Sequence, residues 1–520
     1  MISASLVIAL LAAITLLAGL AARTGTPYPV VLVLGGLVMG FAPGVPSPRL
    51  NPDLVLVLFL PPLLYSSAFL SSVGELRANA GPILLLATGL VLATLGGVAA
   101  VGVAVAGLPW TVAFVLGAVL GPTDPVSASA ILQRLGAPDR LVTILEGESL
   151  VNDGTAITAY AIALAAVSSG HFSALHAVGE FAFEVAVGAV IGLVVAWLAT
   201  WLRRRLDAEA ELALTLLVPF VAYIPADQLG ASGVIAAVAA GLYAATRETE
   251  TTSAASRLRI HAFWDVLVFL LNALLFLEIG MQLQHIVNDI GGGFSVSLLW
   301  QALAVSAAIF AIRFAWMFGL SPVTRALRRG REGTAARPGA RLVLAWSAMR
   351  GGVTLALALA IPLQSGGKPF PDRSLVIFLA YGAVLVTLVA PGVTLGPMVR
   401  RLGLEQGAKR RRQLAEAQAA VLHAALEEIE ALASDDDISS DAADRLSGLY
   451  HARLDRLAAR YGSGRDGDTA EELRQAAGAR KSVIAAQRRR LSELRRDHRY
   501  PADTLREIER DLDLDEERLR

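Results

Sequence analysis

The sequence predicts an all-α, polytopic membrane protein followed by a helical tail, and three observations carry that reading. Apolar blocks of membrane-spanning length follow one another to about residue 403. Charged residues make up 17% of the 520-residue chain and hydrophobic ones 55%, where soluble domains carry about a quarter charged. Mean hydropathy is +0.57. Polarity then changes abruptly, which divides the chain into a membrane domain, 1–403, and a cytoplasmic helical tail, 404–520, dense in Arg, Glu and Asp.

The apolar blocks fall near 2–22, 27–44, 53–73, 79–106, 109–134, 139–168 and 174–202, then 209–227, 230–246, 261–284, 295–320, 340–363 and 374–400. The first lacks a basic flank and is long enough to span, so it reads as a helix of the mature protein rather than a signal peptide. Thirteen spans put the termini on opposite sides. Basic residues concentrate in alternate loops, with Arg23, Arg77, Arg203, Arg204, Arg205, Arg325, Arg328, Arg329 and Arg331 on one side. Only Arg49, Lys368 and Arg373 fall on the other. The positive-inside rule then places the N-terminus outside and the tail in the cytoplasm.

Thirteen spans also accommodate two six-helix repeats of inverted topology, an arrangement common in secondary transporters. The fifth and twelfth spans would be counterparts, and both read as broken. The fifth, AFVLGAVLGPTDPVSASAIL, sets Gly121, Pro122 and Pro125 around Asp124. The twelfth, LVLAWSAMRGGVTLALALAIP, places Gly351 and Gly352 directly after Arg350. Proline removes a backbone donor and clashes with the preceding turn, so these segments should unwind. In lipid such backbone survives only against protein or a water-filled cavity.

The sixth span carries LEGESLVNDGTAI, with acids where a lipid-buried helix should have none. Ser149, Asn152 and Asp153 share one helix face. With Asp124 and a freed carbonyl such as that of Thr123, they make an oxygen-rich cluster suited to a hard cation, with Asp153 and Asp124 as its carboxylates. Arg350 lies inside a span and needs an acid, and Glu148 is the expected partner. Glu278, in LLFLEIGMQL, is a further intramembrane acid for which Arg313 is a candidate partner. Glu146, Glu180 and Asp265 read as interfacial.

GPTDPVSASAILQRLGAP, EGESLVNDGTAI and WSAMRGGVTLALALAIP closely resemble the sodium/proton exchangers of the monovalent cation:proton antiporter-1 family, over about residues 5–403. The resemblance implies a thirteen-helix homodimer whose six-helix core domain moves against a dimerisation domain. It implies that Asp153, beside Asn152, alternately carries a proton or a cation. Thr123, Asp124 and Ser149 would form or support the cation site, and Glu148 and Arg350 would pair. Family members often carry an acid on the third span after Pro-Pro. Here LPPLLYSSAFL puts Ser66 in that position, which touches selectivity and pH profile.

The expected function is therefore exchange of Na+ or Li+ for H+ across the cell membrane, serving pH and sodium homeostasis, with K+ left open. One exchanging carboxylate predicts one cation per proton. A passive cation conductance is the main alternative, though a filter needs rings of carbonyls or charges. No serine elbow, zinc pattern or nucleotide loop suggests an enzyme or a cofactor, and zero net charge offers no general attraction to nucleic acid. In the tail, Leu414, Ala417, Val421, Ala424, Ala425 and Ile429 recur at helical steps and Pro501 opens a last helix. AKRRR beside the last span could touch anionic lipid. A regulatory role for the tail is suggested by its position.

Overall fold

A computed structural model describes residues 4–43, 55–169, 174–290, 295–319, 338–365, 367–405, 407–435 and 438–461, with isolated residues between 483 and 494. Arg49, Arg325, Arg328, Arg329, Arg331 and the segment from Pro501 lie outside the described residues. Contacts divide the chain into two units, Met1–Glu405 and Gln406–Arg520.

Helices occupy the apolar blocks because a segment in lipid must pair its own backbone groups. In order they are α1 (Ala4–Thr24), α2 (Tyr28–Phe41), α3 (Leu60–Phe69), the short α4 (Val73–Ala78), α5 (Ala80–Leu84) and α6 (Val91–Ala106). Next come α7 (Trp110–Val119), α8 (Val126–Arg134), α9 (Asp139–Ser169), α10 (Ala174–Arg203), α11 (Ala208–Gln228), α12 (Gly233–Thr251) and α13 (Ala254–Asp289). The unit closes with α14 (Val296–Gly319), α15 (Pro338–Trp346), α16 (Gly352–Leu359) and α17 (Arg373–Arg401). A two-residue hairpin, Gln364–Ser365 against Lys368–Pro369, precedes α17. Among the described residues, eight helices are long and apolar enough to cross a membrane, and three shorter apolar ones accompany them. The molecule is a multi-pass membrane protein.

Both expected breaks are present. The fifth span is α7 and α8 with Leu120–Pro125 non-helical between them; the twelfth is α15 and α16 with Ser347–Gly351 between them. The fourth span runs continuously over Ala80–Ala106 but passes through a π-helical turn at Leu85–Leu90. Gly89 in that turn makes room for the ring of Trp316, which a Cβ would approach to 2.7 Å.

The helices sort into two groups by packing. In one, α1 and α2 pack together, α2 packs on α13, and α3 and α10–α12 pack among themselves. In the other, α6 lies against α7, α9 against α7 and α8, and α14 and α16 against α17. Contact between the groups is sparser and runs mainly through α9, α13 and α17. The α2–α13 seam depends on glycine. Gly36, Gly40 and Gly280 bring the two backbones together, and a Cβ at Gly280 would lie 2.2 Å from the Val33 carbonyl. Small residues let membrane helices approach this closely where no hydrophobic effect draws them together.

In the second unit, α18 (Gly407–Ser434) packs against α19 (Ser440–Tyr461). Of the apolar stripe expected there, Ile429 is buried with Leu426, whereas Leu414 and Val421 are exposed. The buried face is thus rotated toward Leu426.

Replacing Gly280 by Ala forces overpacking costing about 1–3 kcal/mol. The thermal unfolding midpoint of the purified protein should fall by several degrees. Gly19→Ala, with nothing within 4 Å of the new methyl, should leave it unchanged.

Candidate functional site

The two breaks meet. The backbone N–H of Asp124 donates to the carbonyl of Met349 at 3.0 Å, joining the unwound segments directly. The Asp124 Oδ1 accepts from the N–H of Val126 at 2.9 Å and so caps α8, placing a carboxylate at the positive end of that half-helix. Its Oδ2 lies against Gly351, where a Cβ would come within 2.0 Å. Only glycine fits there.

Arg350 serves the other half-helix. Its Nε donates to the carbonyl of Leu120 at 3.1 Å, beyond the C-terminus of α7, and its Nη1 donates to Ala348 O at 2.8 Å. Its backbone N–H donates to Thr387 Oγ1 on α17 at 3.2 Å. A guanidinium on terminal carbonyls complements the negative end of a helix. Arg350 is therefore not the ion-pair partner of Glu148. It feels Glu148 and Arg313 electrostatically, but the structure engages it with carbonyls.

Glu148 pairs instead with Arg313 of α14, at 2.5 Å from Nη1 to Oε1 and 2.8 Å from Nη2 to Oε2. Both side chains are about 1% exposed. The fork geometry satisfies both carboxylate oxygens, which a buried pair requires to offset desolvation. Arg313 Nε donates to the carbonyl of Leu344 at 2.9 Å, so one arginine ties α9, α14 and α15 together. The expected pairing of Arg313 with Glu278 does not occur. The sequence offered two intramembrane arginines and two acids without the distances that match them.

Thr123 is the hub of the remaining polar contacts. Its carbonyl accepts from Ser149 Oγ at 3.0 Å, and its Oγ1 accepts from Asn152 Nδ2 at 2.5 Å and donates to Glu148 Oε1 at 3.2 Å. Thr123, Ser149, Asn152 and Glu148 thus form one network between the fifth-span break and α9. Asp153 is 4% exposed, and its Oδ1 has no hydrogen-bond partner; neither has the Oδ1 of fully buried Asn152. Asp124 acts on Asp153 electrostatically. Two unengaged oxygens beside a second carboxylate are what a partly dehydrated monovalent cation would seek as ligands.

Ser66 is buried but donates to the carbonyl of Leu63 at 3.0 Å, so its hydroxyl is turned onto its own helix. Glu146 accepts from Gln133 Nε2 at 3.2 Å and is half-buried. Glu180 and Asp265 are exposed. Thr387 and the carbonyls of Leu120 and Met349 were not foreseen, nor was Arg313 as the partner of Glu148. Only Arg313 carried a signal, as a charge within a span.

The profile described as "Sodium/hydrogen exchanger, transmembrane" matches residues 6–401. The chain belongs to the sodium/hydrogen exchanger family. Its relatives include an uncharacterised Na(+)/H(+) exchanger of Mycobacterium tuberculosis, 34% identical over 99% of this chain and 95% of the relative. The Na(+)/H(+) antiporter NhaP of Pseudomonas aeruginosa is 34% identical over 67% of this chain and 81% of its own. The sodium, potassium, lithium and rubidium/H(+) antiporter of Bacillus subtilis is 34% identical over 71% of this chain and 57% of its own. Among solved structures, the sodium proton antiporter of Methanocaldococcus jannaschii at pH 8 aligns with a TM-score of 0.59 and 21% identity, covering 76% of this exchanger and 97% of that chain. That likeness concerns the fold.

In this exchanger, Arg313→Met leaves Glu148 buried and unpaired, a loss of about 3–5 kcal/mol. It should strongly reduce folded protein recovered from membranes and lower the unfolding temperature. Glu148→Gln with Arg313→Met should recover much of that loss.

Proposed function

We propose that this exchanger is a secondary antiporter that moves Na+ or Li+ against H+, one for one, with Asp153 holding the cation or the proton in competition. One observation carries the reading: Asp153 is buried with an unengaged oxygen, while the nearby arginines are committed elsewhere. A buried carboxylate without a cationic partner must take a proton or a cation, and a group that takes either in turn is an exchanger. Thr123, Asp124, Ser149 and Asn152 complete or support the cation site. Asn152 cannot titrate, and one oxygen of Asp124 is engaged in capping α8. A single exchanging carboxylate follows, and with it electroneutral transport.

The proposed setting is a homodimer in the plasma membrane, crossing it thirteen times as two inverted six-helix repeats, with the N-terminus outside. Residues 404–520 would form a cytoplasmic helical region. Alternating access arises from movement of the helix group that bears the site, with pH and sodium homeostasis as the role. The Bacillus relative's name includes potassium, which keeps K+ among the cations to be tried.

Asp153→Asn preserves shape and removes the titratable charge, so exchange should vanish in proteoliposomes while the protein still folds. Normal exchange in that variant would refute the assignment. A second measurement tests the stoichiometry. With an acid lumen and external Na+ or Li+, lumenal alkalinisation should be the same with and without a valinomycin–K+ clamp. Cation uptake that follows voltage, with no proton movement, would establish a conductance instead.

A further inference from the structure

One buried acid has no part in the site just described. Glu278 lies within α13, 6% exposed, and its Oε2 has no hydrogen-bond partner. Gln282, one turn further on, bonds to the carboxyl group, but an amide cannot neutralise its charge. Arg313 is held by both oxygens of Glu148, and Glu278 has no ion pair among the described residues. The structural explanation for an intramembrane acid, a buried salt bridge, therefore does not apply to it.

Helix geometry fixes the face on which Glu278 sits. Gly36 and Gly40 of α2 press on the backbone of Leu277 and Met281, and Gly280 presses on Val33, which closes that side of α13. Leu275, Glu278 and Gln282 stand at i, i+3 and i+7, a single stripe on the other side. Leu275 meets Gly352, and the neighbouring Gly351 meets the carboxylate of Asp124. The stripe thus faces the crossing of the two breaks. Position along the axis also matters. Phe269, whose ring is tilted 59° to that of Tyr28 with centroids 5.5 Å apart, lies before the Leu275–Gly352 contact, and Glu278 lies about 4.5 Å beyond it at the helical rise. Thr354, two residues past Gly352, is fully buried with an unpartnered hydroxyl.

We propose that Glu278 is a second carboxylate of the cation pathway, which takes the cation in transit between Asp153 and the membrane face remote from Tyr28 and sets the apparent cation affinity. The inference rests on the exchanger reading above. Glu278 belongs to the helix group opposite the one that bears Asp153, so it is a way-station and is not carried with the load. A cation arriving there displaces a proton to the same aqueous side. No net charge crosses in that step, and the one-for-one exchange at Asp153 is preserved.

The test is Na+-dependent proton release in proteoliposomes bearing Glu278→Gln, Glu278→Asp or Asp153→Asn. Loss of the carboxylate should raise the KM for Na+ about tenfold with a far smaller change in Vmax, and the Asp variant should restore most of the affinity. A packing role predicts an unchanged KM in Glu278→Gln, which would overturn the proposal. A second measurement needs no variant to fold. Dicyclohexylcarbodiimide, which modifies membrane-buried carboxyls, should label Glu278 of the wild-type protein, with Na+ protecting it; absent or Na+-indifferent labelling would overturn the proposal. Protection persisting in Asp153→Asn, which should not exchange, separates the two claims. Exchange surviving in Asp153→Asn would sink the assignment of Asp153 as the exchanging carboxylate without touching Glu278.

Discussion

Two interrupted helices crossing inside a bilayer must pair the backbone groups that interruption frees, and the site is the solution to that requirement. Each unsatisfied N–H or carbonyl in hydrocarbon costs several kcal/mol. The N–H of Asp124 is satisfied by Met349, the carbonyl of Leu120 by Arg350, that of Thr123 by Ser149, and the N–H of Arg350 by Thr387. Two of these donors are side chains outside the fifth-span break. The glycines follow from the same constraint, since Gly351 and Gly352 have no room for a Cβ against Asp124 and Leu275. Pro122 and Pro125 reduce the number of donors the break must satisfy.

Charge is distributed with the same economy. Arg313 neutralises Glu148 completely, with both carboxylate oxygens engaged and neither side chain open to solvent. Arg350 is drawn to the carbonyl end of α7, a partial negative charge rather than a full one. Neither arginine is bonded to Asp124 or Asp153. Had Arg350 been aimed at Asp153 instead, the carboxylate would have a resident cation and no reason to take another. The helix ends thus leave Asp153 without a basic partner by holding the positive charge elsewhere.

Much of this was legible in the sequence because hydropathy and helix breakers act locally. The apolar blocks, the breaks around Asp124 and after Arg350, and the shared face of Ser149, Asn152 and Asp153 all depend on residues within a few turns of one another. The partner of Glu148 was not legible. Spacing on α9 says nothing about which of two arginines, one on α14 and one after α15, comes within reach, and the guanidinium of Arg350 found carbonyls that no sequence pattern marks. The hydrogen bonding of Ser66 was not legible either, for a purely local reason. A serine within a helix can satisfy itself on its own carbonyls, as Ser66 does on Leu63. In the tail, alanine contributed to the expected stripe as readily as leucine, so the buried face was placed away from Leu426.

The polar network also determines what can move as one body. Asp124, Met349, Arg350, Thr387, Thr123, Ser149, Asn152, Glu148 and Arg313 are linked by hydrogen bonds that all lie within one helix group. Where that group meets the other near the site, the contacts are apolar: Gly154 against Ile235 of α12, and Gly352 against Leu275 of α13. Apolar contacts have no direction, so a displacement along this seam trades one set for another of similar energy, whereas a displacement within the group would strand buried charges. Among the described residues, hydrogen bonds that cross the seam include those from Tyr381 to the carbonyl of Gly280, from Thr158 to Glu184 and from Arg134 to the carbonyl of Gly25. None of these involves a residue of the Thr123 network. Displacement of one group against the other can therefore exchange such bonds and leave the coordination of the two breaks intact.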